Sequence, residues 1–365
     1  MKFNNIALAG AAIGLANAGP VSKRAITDAD VLNYALTLEH LEATFYEEGL
    51  KNYTQADFIK AGFKDPFYAN IKEVASDEKE HVSFLTSALK AAGASPVARC
   101  TYNFPSTDVS SFLALASVLE GVGVSAYLGA AASIMNKDYL TAAGSILTVE
   151  ARHSAYLRAA LGEVPFAQAF DDPLDFNEVY TVASPFIASC PSSNGPLPVK
   201  AFPSLTMSSM DAVMVGAKVP VTVGTGFNTS ATDISAAFIT VTGPIWAPIE
   251  SNGDGKFTVT VPKGVAGQSY FVLTQGNKQA TDDNIVAGPA IVEVGKKGPV
   301  GTPSGMAAMG MGGKGKPTPS SSGSWSSTSA TASASSPVYT GAAQKMSGSL
   351  AGVAVAGLVA AAAFV

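Results

Sequence analysis

The chain contains no block of lysine and arginine, and its formal net charge is -5, so an electrostatic footprint for nucleic acid is missing and that class of partner is excluded. Long hydrophobic runs are scarce as well. The apolar stretch Ile6–Leu15, preceded by Lys2 and followed by the small-x-small triplet Ala16-Asn17-Ala18, is too short to span a membrane and has the make-up of a secretory signal peptide over residues 1–18. Residues 19–24 then read as a short propeptide ending in the dibasic pair Lys23-Arg24. At the other end the uncharged tail Leu350–Val365 is sixteen residues of mostly Ala, Gly and Val, marginal for a spanning helix. Small residues at Gly341-Ala342-Ala343 and a polar spacer precede it. This order predicts a GPI-attachment signal over 342–365 with Gly341 as the attachment residue, hence a secreted, surface-held protein on the outer plasma-membrane leaflet or the cell wall.

Cysteine is nearly absent. Cys100 and Cys190 stand alone, and an isolated pair in an oxidising compartment is expected to bridge. Two N-x-[ST] acceptors, Asn52 and Asn228, fit the same route. Large apolar residues are almost missing from residues 297–341, where Gly, Ser, Thr, Pro and Ala dominate; such a segment buries no core and reads as a disordered, O-glycosylated stalk.

What remains divides by its hydrophobic period. Over residues 25–195 apolar positions recur at three and four in four stretches: one opening at Thr27 or Asp28 and fading near Gly49, one from Pro66 to Ala92-Gly93, one after Ser106-Thr107-Asp108, and one ending at Leu161-Gly162. These predict a four-helix bundle. Over 198–296 the pattern shortens to alternating runs at 219–223, 237–241, 256–261, 270–273 and 290–294, which predicts a small β-sandwich of immunoglobulin type, giving an α+β multidomain chain. Asn252-Gly253-Asp254-Gly255 reads as a hairpin turn; it lacks the closing glutamate of a calcium loop.

Histidine is nearly as rare as cysteine, and its placement carries the chemistry. Of His40, His81 and His153, the last two each follow a glutamate by three residues, in Glu78-Lys79-Glu80-His81 and Glu150-Ala151-Arg152-His153. That spacing puts Glu and His on one helix face, together with Leu85 and Leu89 in one case and Ile146 and Leu157 in the other, so both pairs point inward. The first helix of each half repeats too: Leu38-Glu39 with Tyr46 seven residues on matches Leu119-Glu120 with Tyr127 seven residues on. The bundle is therefore an internal duplication in which each half offers one lone glutamate and one Glu-x-x-His pair, the ligand set of di-iron and di-manganese carboxylate bundles. Glu39, Glu78, His81, Glu120, Glu150 and His153 are the predicted metal ligands, with Glu42 as the alternative to Glu39; His40, next to a ligand, points elsewhere. Carboxylates buried in an apolar core need countercharge, which two divalent cations supply and two histidines do not. Tyr46 and Tyr127 are expected either to fill the core or to hydrogen-bond the ligating carboxylates.

The runs Leu38-Glu39-His40-Leu41-Glu42-Ala43-Thr44-Phe45-Tyr46, Asp77-Glu78-Lys79-Glu80-His81 and Glu150-Ala151-Arg152-His153 resemble those of the secreted ferritin-like domain proteins of fungi, several of which are named for stress response or sexual development. The resemblance extends from Asp28 to about Cys190 and implies a ferritin-like fold with a metal centre. The expected cofactor is a pair of iron or manganese ions, and the expected partners are oxygen, peroxide or iron(II), through ferroxidase or peroxide-removing chemistry. The alternative is a wall or adhesion protein that uses the bundle only as a scaffold.

Overall fold

The computed structural model describes residues 26–208 and 211–295; the signal-peptide, propeptide, stalk and lipid-attachment readings, Gly341 included, lie outside them. Local sequence sets the helix starts. The first helix, α1 (Asp28–Asn52), opens with a capping box in which Thr27 accepts from the Asp30 amide and Asp30 bonds back to Thr27; a second Thr-Asp box, at Thr54 and Asp57, starts the short α2 (Gln55–Lys60). Next comes α3 (Phe67–Ala91), and Asp108 caps α4 (Val109–Ala130) through the Ser111 amide. Asn136 caps α5 (Lys137–Ala160), and an Asp175–Glu178 box starts α6 (Phe176–Ala183). Of these, α2 and α6 were not expected: six and eight residues are too few for a helical period to stand out.

The four long helices pack as two pairs, α1 with α3 and α4 with α5. Apolar layers close the bundle on both sides of its middle. Toward one end Leu32, Leu36, Leu85 and Leu89 meet; toward the other, Phe45 stacks on Phe112 at 4.8 Å and both join Phe58, Ile71 and Leu157. Gly49 makes that layer possible, since a Cβ there would lie 2.0 Å from the Phe112 ring. By length and composition α4 is apolar enough to cross a membrane, yet most of it is buried in the bundle. A disulfide between Cys100 and Cys190 joins the segment ahead of α4 to the exit of α6, next to the two-stranded antiparallel pair β1 (Thr101–Tyr102) and β2 (Ile187–Ser189).

The described residues from Leu205 onward form two antiparallel four-stranded sheets. One runs β3–β4–β8–β7, from β3 (Leu205–Met207), β4 (Lys218–Val223), β7 (Ile249–Gly253) and β8 (Lys256–Thr260). The other runs β10–β9–β5–β6, from β5 (Ile234–Phe238), β6 (Ile245–Ala247), β9 (Gly267–Gln275) and β10 (Ile285–Val294). Val219, Val221 and Val259 of the first share a core with Phe238, Phe271, Leu273 and Val292 of the second. The Asn252–Gly255 segment turns the chain between β7 and β8, with Gly253, Asp254 and Gly255 all at positive φ. The strand expected at 237–241 sits at 234–238 instead. Ala236, Ala237 and Phe238 are buried in succession, because one face of this sheet meets the other sheet while the opposite face meets further apolar side chains, and alternation fades where both faces are covered.

The second sheet is bonded to the bundle. On β9, the Tyr270 hydroxyl donates to the Gly121 carbonyl at 2.9 Å and accepts from Gln268 Nε2 at 2.8 Å, while Gln268 also donates to the Val118 carbonyl at 3.1 Å. Nearby, the buried Arg158 of α5 forks onto Glu293 of β10 at 2.8 and 2.7 Å. The sheet thus braces α4 and α5, two helices that carry the residues described next.

Candidate metal centre

Glu39, Glu78, Glu120 and Glu150 are fully buried, one from each long helix, and His81 and His153 are 8% and 6% exposed. Their atoms converge on two adjacent points. Glu39, Glu78, His81 and Glu150 form one group, Glu78, Glu120, Glu150 and His153 the other, with one ligand atom from each member within 4.8 Å of the rest of its group. Glu78 and Glu150 belong to both groups, the position of bridging carboxylates, and each histidine belongs to one. His81 Nδ1 stands 3.3 Å from Glu39 Oε2, 3.4 Å from Glu78 Oε2 and 3.2 Å from Glu150 Oε1. His153 Nδ1 stands 3.0 Å from Glu78 Oε1 and 3.3 Å from Glu120 Oε2.

Whether these residues fit a pair of cations is decided by their unmet bonds. Glu39 Oε2, both oxygens of Glu78, Glu120 Oε2, both oxygens of Glu150 and the Nδ1 atoms of His81 and His153 are buried without a hydrogen-bond partner. The two carboxylate oxygens that remain are each held by a tyrosine: Glu120 Oε1 accepts from Tyr46 at 2.5 Å, and Glu39 Oε1 accepts from Tyr127. A single ring N–H has one direction and cannot serve three carboxylates at nearly equal distance. Eight orphaned donor atoms facing common points in a dry core are costly as hydrogen-bonding groups and suited as hard ligands, so the set fits two divalent cations.

Electrostatics agrees. Burial, then the neighbouring Glu150, pushes Glu78 up to about 8, and burial first of all raises Glu120 and Glu150. Burial alone lowers the histidines, but Glu150, Glu39 and Glu78 outweigh it at His81, pushed up to about 12, as do Glu120 and Glu78 at His153, pushed up to about 11. Without a cation this cluster holds protons that cations displace. His153 has an outer partner as well, its Nε2 lying 3.1 Å from Asp77 Oδ2.

Sequence reasoning offered Glu42 in place of Glu39, and the structure buries both. Glu39 is in the first group; Glu42, 4% exposed, belongs to neither but lies beside them. In the duplication its counterpart is Gly123, where a Cβ would stand 3.0 Å from both Glu42 Oε1 and Glu150 Oε2. The extra carboxylate of one half fills space that the glycine of the other leaves. Burial and the surrounding glutamates, Glu150 first, hold Glu42 well above the usual carboxylate range. The tyrosines bond across the halves, each to the glutamate of the opposite half, so they do more than fill the core. His40 faces away and meets the Val97 carbonyl at 3.2 Å. Asn52 and Asn228 are exposed. The partnership of Asp77 with His153 escaped the sequence reading, although its place just before Glu78 in a repeat where the other half has Val149 was visible.

Residues 27–163 match the family described as the Ferritin-like domain. Protein rds1 of Schizosaccharomyces pombe is 28% identical over 185 residues, which are 50% of this chain and 44% of that protein, so the match spans less than half the relative's length. A crystal structure of a conserved hypothetical protein from Mycobacterium tuberculosis is 20% identical, with a TM-score of 0.32, over 39% of this chain and 96% of the other.

Proposed function

We propose, from the ferritin-like domain at residues 27–163 and its buried clusters, that the chain holds a carboxylate-bridged pair of iron or manganese ions and is an extracellular oxidoreductase of the ferroxidase or peroxide-removing kind. The observation that carries this reading is the set of eight unpaired buried donor atoms. Glu78 and Glu150 would bridge the ions, Glu39 with His81 would complete one position, and Glu120 with His153 the other. The ions, when bound, supply redox chemistry toward oxygen, peroxide or iron(II). The chain's own contributions are separate. Tyr46 and Tyr127 each hold one oxygen of a terminal carboxylate and so orient the other, Asp77 sets which nitrogen of His153 faces inward, and the apolar layers around Phe45 and Leu36 keep water out. Export is supported by the Cys100–Cys190 bond, and the sheets are read as an accessory immunoglobulin-type sandwich.

The test is elemental analysis of the secreted chain beside the double variant Glu78→Ala/Glu150→Ala. About two iron or manganese ions per chain, lost in the variant, are expected from two ligand groups sharing two bridges. Metal-free protein in both cases, persisting after anaerobic loading with iron(II) and with manganese(II), overturns the reading in favour of a scaffold held at the cell surface.

A further inference from the structure

A cavity of about 330 Å³ runs along α4 beside the metal cluster. Its α4 wall is Ser111, Ala114, Leu115, Val118, Leu119, Val122 and Gly123, a single helix face that extends over thirteen residues and so roughly 18 Å. Opposite lie Leu38 and Leu41 of α1, then Val182 and Phe186 after them, and Ile291 of β10. The outer end is at Ala114 and Pro105, both exposed. The inner end is at Glu42 and Gly123, where the Gly123 Cα faces the carboxylates of Glu42 and Glu150.

Length and lining together describe an elongated apolar slot. Over roughly 18 Å its walls are almost entirely aliphatic side chains, a shape and surface that suit an extended hydrocarbon. Its polar atoms are few. The Ser111 hydroxyl is already engaged in the α4 cap, accepting from the Thr107 and Asp108 amides at 3.0 and 3.1 Å, so water inside would meet few partners short of the Glu42 carboxylate. The size falls at the lower end of small-molecule sites, ~300–1,000 Å³.

We infer that this slot is a binding site for an unbranched aliphatic chain, which enters at Ala114 and Pro105 and lays its inner end against Glu42, beside the two-metal cluster. The headgroup stays at the rim, in water. The sheet domain gains a role, because Ile291 of β10 forms part of the wall. The site itself stands on the cavity; its meaning as the place of a substrate rests on the two-metal reading.

The experiment uses the full chain, 1-decanol as the probe, and cobalt(II) loaded in place of the native ions as a visible-absorption reporter. Saturable binding of one decanol per chain is expected, with a shift in the cobalt bands on binding. Leu115→Trp, which fills the slot from its partly buried middle, should weaken binding at least tenfold while cobalt stoichiometry is retained. If that variant misfolds, Ala114→Trp at the exposed rim replaces it. No saturable binding, or undiminished binding in the folded tryptophan variant, overturns the site. Decanol binding that leaves the cobalt bands unmoved overturns its placement at the centre. A chain that takes up no cobalt but binds decanol, and loses it with tryptophan, upholds the slot while the two-metal reading fails.

Discussion

Tyr46 donates its hydroxyl to Glu120 Oε1 at 2.5 Å, tying the first half of the duplicated bundle to the terminal carboxylate of the second. Tyr127 returns the bond to Glu39, so each half orients the other's ligand. Removing one hydroxyl frees a carboxylate to rotate and leaves one more buried oxygen unpaired. Tyr46→Phe and Tyr127→Phe are each expected to retain two metal sites with affinity lower by roughly 10–100-fold. Chelator competition measures this; unchanged affinity in both would reduce the tyrosines to packing.

The halves are not equivalent around their histidines. Asp77 lies 3.1 Å from His153 Nε2, whereas the matching position in the second half is Val149, which offers His81 nothing similar. With Nδ1 on a cation, the pair would hold the remaining His153 proton on Nε2 and raise the ligand strength of Nδ1. Asp77→Ala should therefore split metal loading into two steps, with the ion at Glu120 and His153 weakened by roughly tenfold and the ion at Glu39 and His81 little changed. Stepwise titration monitored by absorption checks it, and a uniform loss at both positions would contradict the assignment.

Much of this was legible in sequence because the duplication repeats chemistry as well as hydrophobicity: Glu78-x-x-His81 and Glu150-x-x-His153 announce themselves by spacing on a helix face. Glu42 was harder. Repeat logic pairs it with Gly123 and so argues it away, whereas its burial depends on the space the glycine leaves, a relation between helices that no single periodicity encodes. The cross-bonded tyrosines were hidden for the same reason, since sequence places Tyr46 relative to its own Glu39 and says nothing of Glu120. The strand at 234–238 was misplaced because its sheet is covered on both faces, which removes the alternation that would mark it.

The closeness of Glu42 to Gly123 can be tested by a double-mutant cycle on the metal-free chain. A methyl at position 123 would stand 3.0 Å from Glu42 Oε1, so Gly123→Ala should destabilise by ~1–3 kcal/mol through overpacking. Glu42→Ala vacates part of that space. In the double variant the cost of Gly123→Ala should fall, with a coupling of at least ~0.5 kcal/mol from urea unfolding. Strict additivity would mean that the two residues do not share the volume.

The acidic pair that opens α6 makes a pH prediction independent of the metal ligands. Burial first, and then Asp175, pushes Glu178 up to about 8, while burial and then Asp282 push Asp175 up to about 6. Their unfolded values are near 4.5 and 3.8, so between about 4 and 8 the folded chain binds more protons than the unfolded one, and stability falls as pH rises through that window. Glu178→Gln removes the larger share of this titration, and its amide oxygen can still accept from the Asp175 amide as Glu178 Oε2 does at 2.8 Å. The variant should thus gain on the parent as pH rises, with similar urea midpoints at pH 4.5 and a higher midpoint for the variant at pH 8.5. Taking the difference between the two proteins cancels the titration of the glutamate–histidine cluster, which both share. Parallel profiles over the whole range would show that Glu178 is already ionised in the folded chain at acid pH, and that α6 docks with its charge intact.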